Sequence, residues 1–210
     1  MVMSAQGEEV RSLNMMEQLR SATHALHEQL DGRMSSHIFV DSFGCEEYRR
    51  LLEKFYGFYQ PLEQQFDAVA RNEAWNEVGL DMSERKRTAQ LEADLLSLGA
   101  TEEEIKRLPL YQGFERILST VPQMLGALYV AEGSTLGGQF IAHRLEKTLG
   151  INSQNGSAFF RSYGPHAVKS MWRLFCERVN SYAEHHPEAR GEILDTANAM
   201  FREFEHWILA

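Results

Sequence analysis

The chain has 210 residues, 43% of them hydrophobic, and a formal net charge of −9, a length that suits a single domain with one substantial core. The acidic balance, with no Lys/Arg-rich stripe interleaved with aromatics, excludes a general nucleic-acid binder. Two cysteines, Cys45 and Cys176, without paired spacing fit a reducing compartment and no zinc site, and no run approaches the roughly 20 apolar residues of a membrane span, so a soluble cytoplasmic protein is expected.

Residues 1–12 carry no continuous apolar stretch of the signal-peptide kind and are expected to be disordered ahead of a domain spanning 13–210. From there, apolar residues at three- and four-residue spacing predict helices near 14–31, 45–72, 83–98, 101–108, 121–149, 165–185 and 187–209. No hairpin pattern interrupts them, and the expected fold is all-α. Thr101 followed by Glu104 has capping-box form, and Pro187 suits the first turn of the last helix. Gly99 and Gly150 stand where a left-handed cap would end a helix. The polar stretch Asn152 to Ser157 reads as a loop. The one basic triplet, Arg85-Lys86-Arg87, reads as a solvated helix face, and the two cysteines as buried apolar-like side chains.

The first helix carries two histidines. Its period places Leu19, Ala22, Leu26 and Leu30 on one stripe. At about 100° per residue, His27 lies at the edge of that stripe and His24 well round toward solvent. Arg20 lies on nearly the same line as His27, displaced by about 10 Å along the axis. Such a pair suits a flat, anionic ligand whose centre an imidazole could hold while a guanidinium meets carboxylates at the rim. The competing reading is a boundary histidine satisfied by a backbone carbonyl.

The helix near 121–149 contains Gly133, Gly137 and Gly138 in mid-run. Each costs roughly 1 kcal/mol relative to alanine, so three within two turns ask for a compensating reason. A kink is one, and a backbone laid close against another helix or a planar ligand is the other. In the last helix, Phe201, Phe204 and Trp207 recur at three-residue spacing and are expected in the core.

Taken together, these motifs resemble those of bacterial heme oxygenases. The run Leu19-Arg20-x-x-Thr23-x-x-x-His27 is followed about a hundred residues later by Tyr129-Val-x-Glu132-Gly133-Ser134-x-Leu136-Gly137-Gly138. The stretch Phe55-Tyr56-Gly57-Phe58-Tyr59, the segment Phe159 to Gly164 and the final helix extend the similarity over most of the chain. The nearest flavour is that of enzymes paired with bacterial phytochromes, which take biliverdin as chromophore.

The resemblance implies heme held between the first helix and a kinked, glycine-rich distal helix. His27 matches the proximal iron ligand, and Gly133, Ser134, Gly137 and Gly138 match the distal contact region. Arg20 and Tyr129 match propionate partners, Arg178 a further basic position, and Phe201 an aromatic wall. The implied reaction opens heme to biliverdin, iron and carbon monoxide with O2, heme being both substrate and cofactor. No phosphate-binding GxGxxG loop or flavin signature is present, so electrons are expected from a separate ferredoxin or NADPH-dependent reductase.

One position departs from the pattern of animal members, whose distal helix carries an aspartate where this chain has Ser134. Glu132 is two residues away and is expected on a different face, so proton delivery is expected to rely on waters held by backbone carbonyls and by Ser134. Three rival readings follow from the same residues: a heme carrier without catalysis, a thiaminase-like member of the same helical superfamily that would need a pocket nucleophile, and a di-iron carboxylate bundle. The last wants two Glu-x-x-His pairs, and only Glu203 to His206 has that spacing.

Overall fold

The computed structural model describes residues 13–164 and 166–210. The expectation of disorder for residues 1–12 falls outside the described residues. Among those described, the secondary structure is helical throughout: α1 (Met15–Ile38), α2 (Cys45–Ala70), α3 (Thr88–Ser97), α4 (Glu102–Lys106), α5 (Phe114–Ile117), α6 (Val121–Leu149), α7 (Ala158–Arg161), α8 (Val168–His185) and α9 (Arg190–Leu209), with short 3-10 turns at Glu73–Glu77, Ser83–Arg85 and Pro187–Ala189. No helix is long and apolar enough to cross a membrane among the described residues.

Local chemistry sets the ends. The Asn14 side chain accepts from Glu17 N while the Glu17 carboxylate accepts from Asn14 N, and Thr101 with Glu104 and Thr120 with Gln123 repeat the device at α4 and α6. Gly150 closes α6 at φ 69°, the left-handed cap expected from the sequence. Buried carboxylates also start elements: Asp94 accepts from Ala158 N and Phe159 N, both at 2.8 Å, and so caps α7 from α3. The segment Asn152 to Ser157 is non-helical, as expected.

Several boundaries differ from the sequence reading, each for a physical reason. Helix α1 runs on past Asp31 to Ile38, because Met34 and Ile38 continue the four-residue series from Leu30 into the core. Its buried stripe is Met15, Leu19, Thr23, Leu30, Met34 and Ile38; Ala22 is exposed, and Thr23 is buried with its hydroxyl bound to Leu19 O at 2.8 Å. The segment expected as one helix over 83–98 breaks at Arg87, where the Glu63 carboxylate accepts the backbone N–H of Arg87 and of Thr88. Cys45 is exposed at the start of α2 rather than buried.

The core lies where α6 packs along α9, with α1 and α2 closing the two sides. The close crossing of α6 and α9 falls at Gly126, a glycine outside the cluster that the sequence draws attention to. A Cβ there would sit 2.4 Å from Ile193 O of α9 and 2.9 Å from Thr196 Cβ. Glycine is therefore what lets α6 and α9 approach. Glu205 of α9 ties α1 to the same bundle, accepting from Gln29 Nε2 at 2.8 Å and from Arg33 Nη1 at 3.0 Å.

Candidate functional site

A cavity of about 840 Å³ opens between α1 and α6, a size suited to one cofactor-sized ligand. Arg20, His24, His27, Tyr129, Gly133, Ser134, Gly137, Gly138 and Phe201 all line it, so the fold gathers residues that lie up to 181 positions apart in sequence. Phe55, Phe58, Leu62, Phe159 and Phe204 form its apolar interior.

His27 is half exposed on α1, its Nδ1 3.1 Å from Asp31 Oδ2 one turn later. The contact with Asp31 engages Nδ1 and leaves Nε2 as the ring nitrogen available to a ligand. The Phe201 ring meets the imidazole edge-on, centroids 5.8 Å apart, which fixes the ring from the α9 side. His24 also lines the cavity and lies 3.4 Å from Glu28. His24 is the more solvent-exposed of the two, 67% against 55%, as its place on the helix predicts, and it reaches the cavity only because the opening spans both edges of α1.

The four distal residues do different things. Helix α6 stays continuous through all of them. A Cβ on Gly137 would meet nothing within 4 Å, one on Gly133 would touch only Trp172 at 3.8 Å, and one on Gly138 would strike Phe160 O at 2.8 Å. Gly137 thus keeps open space in the cavity wall, whereas Gly138 is needed for the close approach of α7. Of the two reasons the sequence offered for the cluster, Gly138 meets the backbone crossing while also bordering the cavity.

Ser134 Oγ donates to Ala131 O at 2.7 Å and lies 3.1 Å from Tyr59 Oη. A hydroxyl has one proton, so the carbonyl takes that of Ser134 and Tyr59 must be the donor in the pair. What the two oxygens then offer the cavity is acceptor lone pairs. Burial pushes the Tyr59 phenol above its ordinary range, opposed by the Arg87 charge and the bond to Ser134. Neutral Tyr59 and Ser134 can hold a water by accepting from it.

The basic triplet behaves differently from its sequence reading. Arg85 is 5% exposed and Arg87 3%, both turned inward, and Arg87 lines the cavity. Only Lys86 is solvated, 2.6 Å from Asp67. The reason is Glu132 on α6, 1% exposed, which pairs with Arg85 at 2.9 Å and Arg87 at 3.4 Å. Glu132 does point to a different face from Ser134, as expected.

Tyr129 meets Trp172 at a tilt of 47° with ring centroids 5.9 Å apart, and its hydroxyl lies 3.4 Å from Thr23 Oγ1, whose own proton goes to Leu19 O, so Tyr129 is the donor of that pair. Arg178 is not among the lining residues; its guanidinium lies against the Gly79 turn, with Cζ 3.5 Å from where a Gly79 Cβ would be. Neither cysteine lines the cavity. Of the residues the sequence reading passed over, Asp31 and Thr23 were accessible to it, each four positions from His27 on one helix. Arg87 and Tyr59 were not, because what marks them is a contact with α6, 45 and 75 positions away.

The residues fit a heme: an imidazole with one nitrogen beside a carboxylate, a wall where a Gly137 Cβ would fill the space, and Arg20 at the rim. Known proteins agree at the level of family and fold. The heme oxygenase family model matches residues 13–210. Among curated proteins, none matches this sequence. Three solved structures share the fold. A heme oxygenase from Neisseria meningitidis, solved in NO- and CO-bound forms, is 24% identical with TM-score 0.72, the match covering 94% of this chain and 91% of that one. Heme oxygenase 2 of Chlamydomonas reinhardtii, solved without heme, is 17% identical with TM-score 0.75 over 94% and 97% of the two chains. Heme oxygenase-1 of the cyanobacterium Synechocystis, solved in complex with heme, is 18% identical with TM-score 0.70 over 94% and 91%. With the family model spanning every described residue, this chain belongs to the heme oxygenase family.

Proposed function

We propose that this protein is a biliverdin-producing heme oxygenase, opening heme to biliverdin, Fe2+ and carbon monoxide with O2 and externally supplied electrons. The observation that carries the reading is the pairing, around one cavity, of His27, its Nδ1 beside Asp31, with a glycine wall on α6. Heme, when bound, supplies the iron that activates oxygen and is itself the molecule cut.

His27 would hold the iron through Nε2, and the Asp31 carboxylate beside its other ring nitrogen would raise its basicity. Arg20 takes a propionate as a charge-assisted partner and Tyr129 offers a phenol beside it. Gly133 and Gly137 would present backbone rather than side chain to a ligand in the cavity. Tyr59 or Ser134 would accept one hydrogen bond from a cavity water, which holds that water in position and leaves its second proton to donate. Phe201 and the apolar interior exclude further solvent. Arg178 is left out of this assignment because of its place beside Gly79.

Electrons come from a separate ferredoxin or NADPH-dependent reductase, and a biliverdin-binding phytochrome suits the product; both partners rest on the resemblance. The test adds hemin to the purified protein, reads a histidine-ligated Soret band, then supplies ascorbate or a reductase under air. Loss of the band with a biliverdin spectrum supports the enzyme. A band that persists leaves a heme carrier, and absence of a band removes both.

A further inference from the structure

The face of α6 turned away from the glycine wall carries a buried charge cluster. Glu132 Oε2 is 2.9 Å from Arg85 Nη1, and Glu132 Oε1 is 3.4 Å from Arg87 Nη2. Tyr163 donates its hydroxyl to the same Oε1 at 2.7 Å, and its ring lies under the Arg87 guanidinium at 5.3 Å. All three charged residues are at most 5% exposed. Burying such a group costs several kcal/mol per ion, and apolar replacements are often neutral or stabilising, so stability alone is a weak reason for it.

Arg87 joins this cluster to the cavity. It lines the cavity wall and donates through Nη2 to Ala131 O at 3.3 Å. That carbonyl is the one that takes the Ser134 proton and thereby turns Tyr59 into the donor of the pair. Only Gly133 lies between Glu132 and Ser134 in the chain, yet the path from the carboxylate to the Ser134 hydroxyl runs through space, by way of a guanidinium from the segment before α3.

We infer that Glu132 is a positioning residue for the distal wall. By holding Arg87 against the Ala131 carbonyl, it fixes the direction of the Tyr59–Ser134 hydrogen bond and partly neutralises the positive field that Arg87 projects into the cavity. Where the animal pattern puts a carboxylate in the pocket, this chain keeps its carboxylate behind the helix and acts through a cation. The inference rests on the reading that the cavity holds heme.

The test uses the hemin-reconstituted protein, reduced without oxygen under carbon monoxide, and reads the C–O stretching vibration by infrared spectroscopy. A positive field at the bound carbon monoxide lowers that frequency and its loss raises it. Glu132→Gln, which leaves Arg87 less neutralised, is expected to shift the band to lower wavenumber, and Arg87→Met to higher. Tyr163→Phe removes one bond to Glu132 with every charge in place, strengthens its hold on Arg87, and should shift the band slightly upward. A general loosening of the helix would move all variants the same way and would overturn the inference, as would an unmoved band in all of them. If Glu132→Gln fails to fold, Glu132→Asp, which keeps the charge but draws it back from Arg87, is expected to shift the band slightly to lower wavenumber and carries the same decision against Arg87→Met. Wild-type protein that binds no hemin removes the ligand reading and this inference with it, whereas bound hemin with unmoved bands removes the inference alone.

Discussion

The Tyr59 and Ser134 hydroxyl oxygens lie 3.1 Å apart across the gap between α2 and α6, and the proton between them belongs to Tyr59. Ser134 has already given its own to the Ala131 carbonyl, so the cavity receives two acceptors from this pair. A water that donates one proton to either oxygen is held in place and keeps its second proton to donate into the cavity, which replaces what a carboxylate would do at the same position.

Ser134→Ala is therefore expected to lower turnover only a few-fold and leave hemin affinity unchanged, because Tyr59 keeps its lone pairs facing the water. Tyr59→Phe removes the donor and one acceptor together and should cost more. Since each substitution breaks the same bond, the double variant should fall short of the sum of the two. Biliverdin formation measured for all four proteins checks this, and a near-complete loss in Ser134→Ala would contradict the shared-water arrangement.

His27→Ala should abolish the histidine-ligated Soret band, and added imidazole should restore it, since the cavity left behind accepts the free ring. His24→Ala borders the same cavity and is expected to leave the ligation band in place. Titration of each variant with hemin, with and without imidazole, separates the two; equal effects would mean that ligation does not belong to His27.

The glycines of α6 should divide by substitution to alanine. Gly137→Ala faces open space, so the hemin-free protein should gain up to about 1 kcal/mol of helix stability while hemin affinity falls. Gly126→Ala and Gly138→Ala each push a methyl onto a carbonyl oxygen, at 2.4 Å and 2.8 Å, and should destabilise the fold by about 1–3 kcal/mol. Melting temperatures of the hemin-free proteins, compared with hemin dissociation constants, show whether stability and binding separate in this way.

Glu205 makes a pH prediction about stability. Hydrogen bonds from Gln29, then from Arg33, hold its carboxyl below the usual glutamate range despite some burial. A folded value below the unfolded one means that the unfolded chain binds the proton more readily. The stabilisation is then complete above the unfolded value, about 4.3, and is lost as pH falls through the lowered folded value. Glu205→Gln should cost roughly 1–3 kcal/mol near neutrality, and its deficit against the wild type should shrink in acid. Urea unfolding of both proteins from pH 7 downward measures the convergence.

Much of the architecture was legible because it is written in local spacing. The caps at Thr101 and Gly150 and the full extent of α6 follow from residues within a few positions of each other. The extension of α1 to Ile38 was less so: Asp31-Gly32-Arg33 looks like a stop until burial of Met34 and Ile38 offsets it. Side-chain burial misled at Arg85 and Arg87, whose local pattern is that of a wet helix face. Their inward turn depends on a carboxylate 45 or more positions away, which no local rule detects.

By itself the sequence determined the helical class and set His27, Arg20 and the α6 glycines apart as candidates, because helical period and glycine cost are properties of neighbouring residues. Only the tertiary structure decided what each glycine is for, placed Arg178 away from the cavity, and joined Glu132 through Arg87 to the Ala131 carbonyl. The physical reason is that close approach, desolvation and hydrogen-bond direction are properties of pairs brought together across the core, and the chain fixes such pairs only when its helices pack.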